Sequence, residues 1–166
     1  MRIIGDGGHA KVIKDYWRNW WQDLDKAFVA VGDNAARKRE AERTQGPFAI
    51  LLHRGAVISD SATIGDGTVV MAGAIIAASV VIGKHCIVNH NAVVDHDCVL
   101  GDYVHVAPGA HLCGHVEVGE GSLVGVGVGI APMCKIPAWT LVKARKLEIV
   151  PMIPPEQDYG LIAGRG

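Results

Sequence analysis

Residues 58–147, cut into sixes, read ISDSAT, IGDGTV, VMAGAI, IAASVV, IGKHCI, VNHNAV, VDHDCV, LGDYVH, VAPGAH, LCGHVE, VGEGSL, VGVGVG, IAPMCK, IPAWTL and VKARKL. Each of the fifteen hexads begins with Ile, Val or Leu, and the fifth position holds mostly small residues. Hexapeptide periodicity is a signature of the parallel β-helix. One short strand and one corner per hexad close a triangular coil of eighteen residues, whose first positions point inward and whose neighbours stack ~4.8 Å apart. The sequence therefore predicts about five coils of a parallel β-helix. Periodicity alone leaves the handedness open.

Composition limits the kinds of partner this chain is expected to have. The chain has 166 residues, which is enough for one or two small domains. A net charge of −1 does not indicate the basic surface that nucleic-acid-binding proteins have. The short basic run Arg37, Lys38 and Arg39 is expected to be a solvated face. The longest uncharged apolar segment, 121–134, is shorter than the ~20 residues of a membrane span. The sequence therefore predicts no membrane insertion, and a start on MRIIG, too short for a signal peptide, predicts a cytoplasmic protein.

The four cysteines are predicted to be reduced thiols. Cys86, Cys98 and Cys134 share the fifth position of their hexads, where they are expected to point inward as small hydrophobic residues. Cys113 stands at a second position and is expected to face outward.

The residues before the coils predict a small α/β module. A strand at 2–4 is followed by a glycine-rich turn at 5–10 and an amphipathic helix from Lys11 to about Leu24. The turn fits the G-x-G-x-x-A pattern that offers backbone N–H groups to an anion, although a plain tight turn explains it equally well. A strand at 28–31, a capping turn at 32–34, a helix at 35–43 and a strand at 48–52 complete this shortened Rossmann-like module. The predicted units are 1–52 for the module, 53–147 for the coils and 148–166 for an extended, proline-rich tail.

Three separated motifs carry a resemblance to a known family. GDGGHAKV (5–12), FVAVGDNAARKRE (28–40) and NHNAVVDHDCVLGDYVHVAPGAHLCG (89–114) resemble the hexapeptide-repeat sugar acetyltransferases of the sialic acid O-acetyltransferase type. They are especially similar to the N-acetyltransferases that act on nucleotide-linked 4-amino sugars, such as the bacillosamine and perosamine precursors. The resemblance implies a left-handed β-helix, a homotrimer, acetyl-CoA bound between subunits, and a nucleotide-linked amino sugar as the partner substrate. It implies no metal.

The same resemblance implies roles for individual residues. The catalytic histidine falls on His96, followed by the acidic Asp97, with His105 as a second histidine. The implied substrate-binding residues are Gly7, Gly8, His9, Asp33, Asn34 and Asn89. The implied coenzyme-binding residues are Gly114, Gly125 and Val126.

The coil geometry supports part of this assignment independently. His96 is the third residue of its hexad and should face outward, with the small Ala78 and Gly114 eighteen residues before and after it. A histidine suits the base that takes a proton from an attacking amine. Asp95 or Asp97 would orient it, and the Gly114 N–H would meet the developing oxyanion. His105 lies half a coil away, so the two histidines can share a site only across a subunit interface.

Four alternatives stay open at this point. The acceptor could be a sugar hydroxyl instead of an amine, and Cys113 could form a covalent acetyl intermediate. A metal site like that of the gamma-class carbonic anhydrases would use His85 and His90, but the positions two coils earlier, Ala49 and Arg54, are not histidines. Last, the coils could form a non-catalytic trimeric scaffold.

Overall fold

The computed structural model of the chain describes residues 1–17 and 25–143. The predicted C-terminal tail, most of the last hexad and the predicted helical residues 18–24 lie outside the described residues. None of the described helices is long and apolar enough to cross a membrane.

Sixteen strands of two residues each form the body of the molecule. Each strand joins the sixth residue of one hexad to the first residue of the next. In chain order they are β3 (Leu51–Leu52), β4 (Val57–Ile58), β5 (Thr63–Ile64), β6 (Val69–Val70), β7 (Ile75–Ile76), β8 (Val81–Ile82), β9 (Ile87–Val88), β10 (Val93–Val94), β11 (Val99–Leu100), β12 (His105–Val106), β13 (His111–Leu112), β14 (Glu117–Val118), β15 (Leu123–Val124), β16 (Gly129–Ile130), β17 (Lys135–Ile136) and β18 (Leu141–Val142).

These strands form three parallel sheets, which are the three faces of the solenoid. Face 1 contains β4, β7, β10, β13 and β16, and face 2 contains β5, β8, β11, β14 and β17. Face 3 contains β3, β6, β9, β12, β15 and β18. Every strand pairs with the strand eighteen residues away, as Val93 does with Ile75 and His111. The predicted parallel β-helix of about five coils is therefore confirmed.

The interior is built from the first and fifth positions of the hexads. Every first-position side chain from Val70 to Val124 is buried. Each such aliphatic side chain contributes about 1.5–3 kcal/mol of transfer free energy, so the internal ladders are the main stabilising term. Cys86 and Cys98 are buried as predicted, but Cys134 is exposed. The prediction for Cys134 was wrong because this residue lies in the last described coil, where no described strand covers it.

The corners share one backbone conformation. Every fourth position from Gly67 to Trp139 has a left-handed φ between 53° and 73°, and eight of these residues are not glycine. The N–H of such a residue donates to a carbonyl of the previous coil, as Asp97 does to Ala78 (3.0 Å) and His115 does to His96 (3.0 Å). These bonds fix where each corner side chain leaves the solenoid.

The N-terminal module contains a two-stranded parallel sheet and two helices. Its elements are β1 (Arg2–Ile4), α1 (Gly8–Tyr16), β2 (Ala27–Val29) and α2 (Asn34–Arg43). Helix α1 begins three residues earlier than predicted because Gly7, with an extended backbone, serves as its N-cap and accepts from the Lys11 N–H (3.1 Å). The predicted third strand of the module is instead a single bridge between Phe48 and Ala27, followed by β3 in face 3.

The module packs against the outer side of face 3. Ile13 of α1 and Trp17, the C-cap of this helix, join Phe28 in one buried cluster with the outward-pointing Val69 and Ile87 of face 3. The outward-pointing Leu51, Val69 and Ile87 of this face are buried, whereas Leu141 at its far end is 53 % exposed.

A buried arginine joins α2 to the solenoid. Arg37 is only 1 % exposed, and its guanidinium donates to the carbonyl oxygens of His85 and Tyr103 (both 2.8 Å) in consecutive corners. It also donates to the carbonyls of Val31 (3.0 Å) and Gly32 (3.1 Å). The expectation that Arg37 lies on a solvated face was wrong, because four carbonyl groups of the docked module and coils surround it and replace water. Burial lowers its pKa to about 10, and the nearby Cys86 and Asp33 oppose this shift.

Candidate active site

His96 and Asp97 form a hydrogen-bonded pair at the corner between face 1 and face 2. His96 Nδ1 lies 2.8 Å from Asp97 Oδ2, and the two side chains are 52 % and 44 % exposed. The His96 N–H donates to Asp95 Oδ1 (2.7 Å), which fixes the backbone beside the ring. Of the two aspartates considered from the sequence, Asp97 therefore contacts the imidazole and Asp95 holds the main chain.

The glycine one coil later lies directly beside the His96 ring. A Cβ added to Gly114 would stand 2.6 Å from both Cε1 and Nε2 of His96. The stacking of residues eighteen apart predicted this neighbour, and only glycine leaves the ring its observed position. The Gly114 N–H donates to no other residue in the described part of the chain, so it is free to bind a ligand.

Asp97 controls both the charge and the tautomer of His96. Its hydrogen bond raises the pKa of His96, with a smaller contribution from the Asp95 charge, while partial desolvation opposes them. An imidazole that donates from Nδ1 to a carboxylate keeps the lone pair on Nε2. The ring is thus arranged to accept a proton at Nε2, the nitrogen next to Gly114.

His115 is a third member of this corner, and the sequence interpretation missed it. Its Nε2 lies 3.8 Å from Asp97 Oδ2, and its ring packs edge-on against His96 with centroids 5.2 Å apart. The signal was available, since His115 follows Asp97 by eighteen residues and so shares its corner. His96, Asp97 and His115 each offer a ligand atom within 4.8 Å of the others, and they are the one such group able to hold a metal among residues 1–17 and 25–143.

His105 lies elsewhere, on face 3 beneath the N-terminal module. Its Nε2 is 3.1 Å from Asn89 Nδ2, so the structure brings these two candidate site residues together. Burial, with the charge of Arg37 and a smaller effect of His9, lowers the pKa of His105 to about 4. Within one chain the structure does not bring His105 to His96, because they belong to opposite sides of the prism.

His9 approaches the same region from the glycine-rich turn. Its Nε2 is buried without a hydrogen-bond partner in the described structure, and burial with the nearby charges of Arg37 and His90 lowers its pKa to about 4. His85, between Phe48 and Tyr103, has its pKa lowered to about 4 by the same main cause. We call His9, His85 and His105 the low-pKa histidines.

A groove of about 980 Å³ opens beside helix α1, and we call it the α1 groove. Asp6, Lys11, Tyr16 and His90 are among its lining residues. Gly7 and Gly8 at the start of the helix have no neighbouring atom within 4 Å of an added Cβ, so the backbone there is open to a ligand. A helix N-terminus with open backbone and nearby lysines can receive an anion.

The two predicted binding residues of the second turn have structural contacts. Asp33 is the N-cap of α2 and accepts from the Ala36 N–H (2.8 Å). Asn34 donates to the carbonyls of Gly121 (2.9 Å) and Ser122 (3.2 Å) and accepts from Arg37 (2.8 Å). These bonds occupy the Asn34 amide in docking α2 onto the coils.

Gly125 and Val126 lie at a different corner from His96, between face 3 and face 1. The Gly125 N–H donates to Val142 O (2.8 Å), and the Val126 side chain is exposed. Within one chain they belong to the same corner series as Asn89 and stand apart from Gly114. A coenzyme touching both sets would have to lie between two subunits.

Comparisons with known proteins identify the family of the chain. Residues 61–96 match the family model of the bacterial transferase hexapeptide (six repeats). No match was found among the curated proteins. The acetyltransferase domain of PglB from Neisseria gonorrhoeae is 31 % identical, with a TM-score of 0.81 over 86 % of this chain and 87 % of that one. A second structure of that domain, solved with acetyl coenzyme A, is 30 % identical to this chain. Its TM-score is 0.78, and the match covers 86 % of this chain and 95 % of that one.

A second similar structure is a variant of perosamine N-acetyltransferase from Caulobacter crescentus, solved with CoA and GDP-perosamine. It is 36 % identical, with a TM-score of 0.79 over 86 % of this chain and 84 % of that one. The likeness thus extends over the N-terminal module as well as the coils. From its repeats, its fold and these relatives, the chain belongs to the hexapeptide-repeat sugar acetyltransferase family.

Proposed function

We propose that the protein transfers the acetyl group of acetyl-CoA to the amino group of a nucleotide-linked 4-amino-4,6-dideoxy sugar. Transfer is direct, with His96 as the general base. The observation that carries this proposal is the His96 ring, which is bonded to Asp97 through Nδ1 and packed against Gly114 through Nε2. The similarity to perosamine N-acetyltransferase, solved with CoA and GDP-perosamine, supports the class of acceptor.

The His96 side chain has the chemistry that this reaction needs. As the sugar amine attacks the thioester carbonyl, its N–H proton passes to His96 Nε2 while a C–N bond forms. The Asp97 carboxylate stabilises the imidazolium, in keeping with the raised pKa of His96. When the C–S bond breaks, the proton returns to the leaving sulfur as CoA thiol. A positioned base of this kind contributes ~10²–10⁴-fold to the rate.

The Gly114 N–H is suited to stabilise the oxyanion. It has no hydrogen-bond partner among the described residues and belongs to the residue that touches the His96 ring. A backbone donor fixed beside the base would meet the carbonyl oxygen as negative charge develops there. Gly114 would therefore both admit the His96 ring and bind the thioester carbonyl.

The nucleotide-linked sugar is assigned to the α1 groove. The open backbone at Gly7 and Gly8, with Lys11 on the same helix, suits the diphosphate of a nucleotide sugar. His9 follows these glycines in the same turn, and its Nε2, buried without a hydrogen-bond partner among the described residues, is the polar atom that the substrate would have to reach. The contacts of Asp33 and Asn34 give these two residues a supporting role at the back of the module.

A homotrimer of left-handed coils would bring the two halves of the site together. Faces 1 and 2, which flank His96, expose aliphatic side chains that include Val57 (65 %), Ile75 (41 %) and Val99 (45 %). Ladders of exposed apolar residues on flat faces are typical of protein–protein contacts. Packing such a face on a neighbour would bring His96 of one subunit toward the module, and toward His105, of the next.

The experiment is a panel of acceptors with acetyl-CoA. We expect acetylation of at least one UDP-, dTDP- or GDP-linked 4-amino sugar, with NMR of the product locating the acetyl group on nitrogen. Turnover only on sugars that lack the amine would indicate a hydroxyl acceptor, as in the sialic acid type. Absence of turnover together with absence of CoA binding would overturn the proposal in favour of a scaffold.

A further inference from the structure

We propose that His96, Asp97 and His115 form a binding site for a divalent transition-metal ion, Zn²⁺ above all, and that the bound metal switches off the base. Two imidazoles and one carboxylate are a ligand set that zinc takes in proteins. The inhibitory half of this inference rests on the proposed function of His96, whereas the binding half does not.

The distances between the donor atoms suit a tetrahedral ion. Zn–N and Zn–O bonds of ~2.0–2.2 Å place neighbouring ligand atoms of a tetrahedron roughly 3.3 Å apart. The observed separations are 2.8 Å from His96 Nδ1 to Asp97 Oδ2 and 3.8 Å from that oxygen to His115 Nε2. All three ligand atoms lie within 4.8 Å of one another, so rotations of these exposed side chains by about 1 Å or less per atom would bring them to the required separations.

The backbone holds the three ligands in place and leaves the ion access to solvent. Asp97 and His115 occupy equivalent left-handed corners (φ 59° each) of consecutive coils, and the His115 N–H donates to His96 O (3.0 Å). All three side chains are exposed, so a water molecule can complete the coordination. The Asp95 carboxylate close by adds negative charge that attracts a cation.

Metal binding at Nδ1 would remove the lone pair that the base needs. An imidazole coordinated through Nδ1 carries its remaining proton on Nε2, because a neutral ring has one proton and the metal takes the other nitrogen's electron pair. The proton moves from Nδ1 to Nε2 through solvent, and the carboxylate of Asp97 turns from the imidazole to the metal. His96 Nε2 then donates a hydrogen bond and cannot accept the proton of an amine.

The site is tested first by binding, without any turnover. Metal-free protein is titrated with Co²⁺ and followed by visible absorption, and Zn²⁺ is then added as a competitor. We expect the wild type to develop the spectrum of a four-coordinate ion that Zn²⁺ abolishes, and His115→Ala to bind more weakly by about tenfold or more. His111→Ala, which removes an exposed histidine of strand β13 on face 1, is the matched control and should bind as the wild type does. No spectrum in the wild type, or equal binding by His115→Ala, would overturn the site.

Inhibition is tested next on the same proteins. Acetylated product is measured chromatographically, because reagents that detect CoA thiol are disturbed by zinc. Zn²⁺ should inhibit the wild type, and a chelator should reverse the inhibition. His115→Ala, measured against its own metal-free activity, should need about tenfold or more Zn²⁺ for the same fractional inhibition. Metal that binds without inhibiting would overturn the switch. Binding that depends on His115 in a protein without transferase activity would uphold the site and contradict the proposed function instead.

Discussion

Replacing Gly114 by alanine should disable His96 without removing it. The new Cβ would lie 2.6 Å from Cε1 and Nε2 of the His96 ring, whereas carbon atoms in contact stay ~3.5–4.0 Å apart. The ring must therefore move by roughly 1 Å. Because the His96 side chain is half exposed, it can turn toward solvent at little cost in stability. A displacement of ~1 Å in a reacting group can lower the rate by about 10²-fold, and we expect a fall of that size in kcat.

The assay combines turnover with coenzyme binding and thermal unfolding. Gly114→Ala should keep the Tm and, to within a small factor, the affinity for CoA, while kcat falls. Gly129→Ala is the matched control, since an added Cβ there meets nothing within 4 Å and the residue lies on the outer side of face 1. Full turnover by Gly114→Ala would refute the assignment of the reaction to His96 in its observed position. Loss of CoA binding in proportion to kcat would mean that the glycine serves the coenzyme and not the base.

Three further predictions concern charge and burial. Asp97 raises the pKa of His96, and the base works in its unprotonated form, so kcat should fall as the pH drops through a midpoint above 6.5. Asp97→Asn should lower both that midpoint and kcat. An unchanged midpoint in this variant would contradict the hydrogen bond between His96 and Asp97. Arg37→Met removes the guanidinium donor from four carbonyls, at about 1–3 kcal/mol each. The Tm should therefore fall by about 10 °C or more, whereas the exposed Arg39→Met should leave it unchanged. The low-pKa histidines have pKa values near 6.5 in the unfolded chain and near 4 in the folded protein. The unfolded state therefore binds more protons between these values, and the Tm should fall as the pH drops from 6.5 to about 4. A constant Tm over this pH range would show that these rings are solvated.

The solenoid could be predicted because its information is local and periodic. Each hexad contains the residues of one strand and one corner. First-position side chains such as that of Val94 could therefore be predicted to point into the core, and residues eighteen apart could be predicted to be neighbours. This rule also predicted Gly114 beside His96. The same rule places His115 beside Asp97, but the family motif at 89–114 ends one residue before His115.

The N-terminal module was harder to predict because its contacts connect distant parts of the chain. Nothing near Arg37 in the sequence indicates that carbonyls of residues 85 and 103 contact it, and a helix rich in charged residues is typical of a solvated face. Likewise, the approach of His9 to His105 depends on how α1 docks on face 3. Cys134 stands at the fifth position of its hexad, as the repeat requires, but it lies at the end of the described coils. There the periodicity does not predict whether another segment packs over the residue.

The role of His96 as the general base is tested most directly by the turnover of His96→Ala on the accepted amino sugar, measured beside its affinity for CoA. We expect kcat to fall by ~10²–10⁴-fold while CoA binding and the Tm stay at wild-type values. Turnover within about threefold of the wild type, with CoA still bound, would show that His96 is not the base, because a general base contributes far more than that.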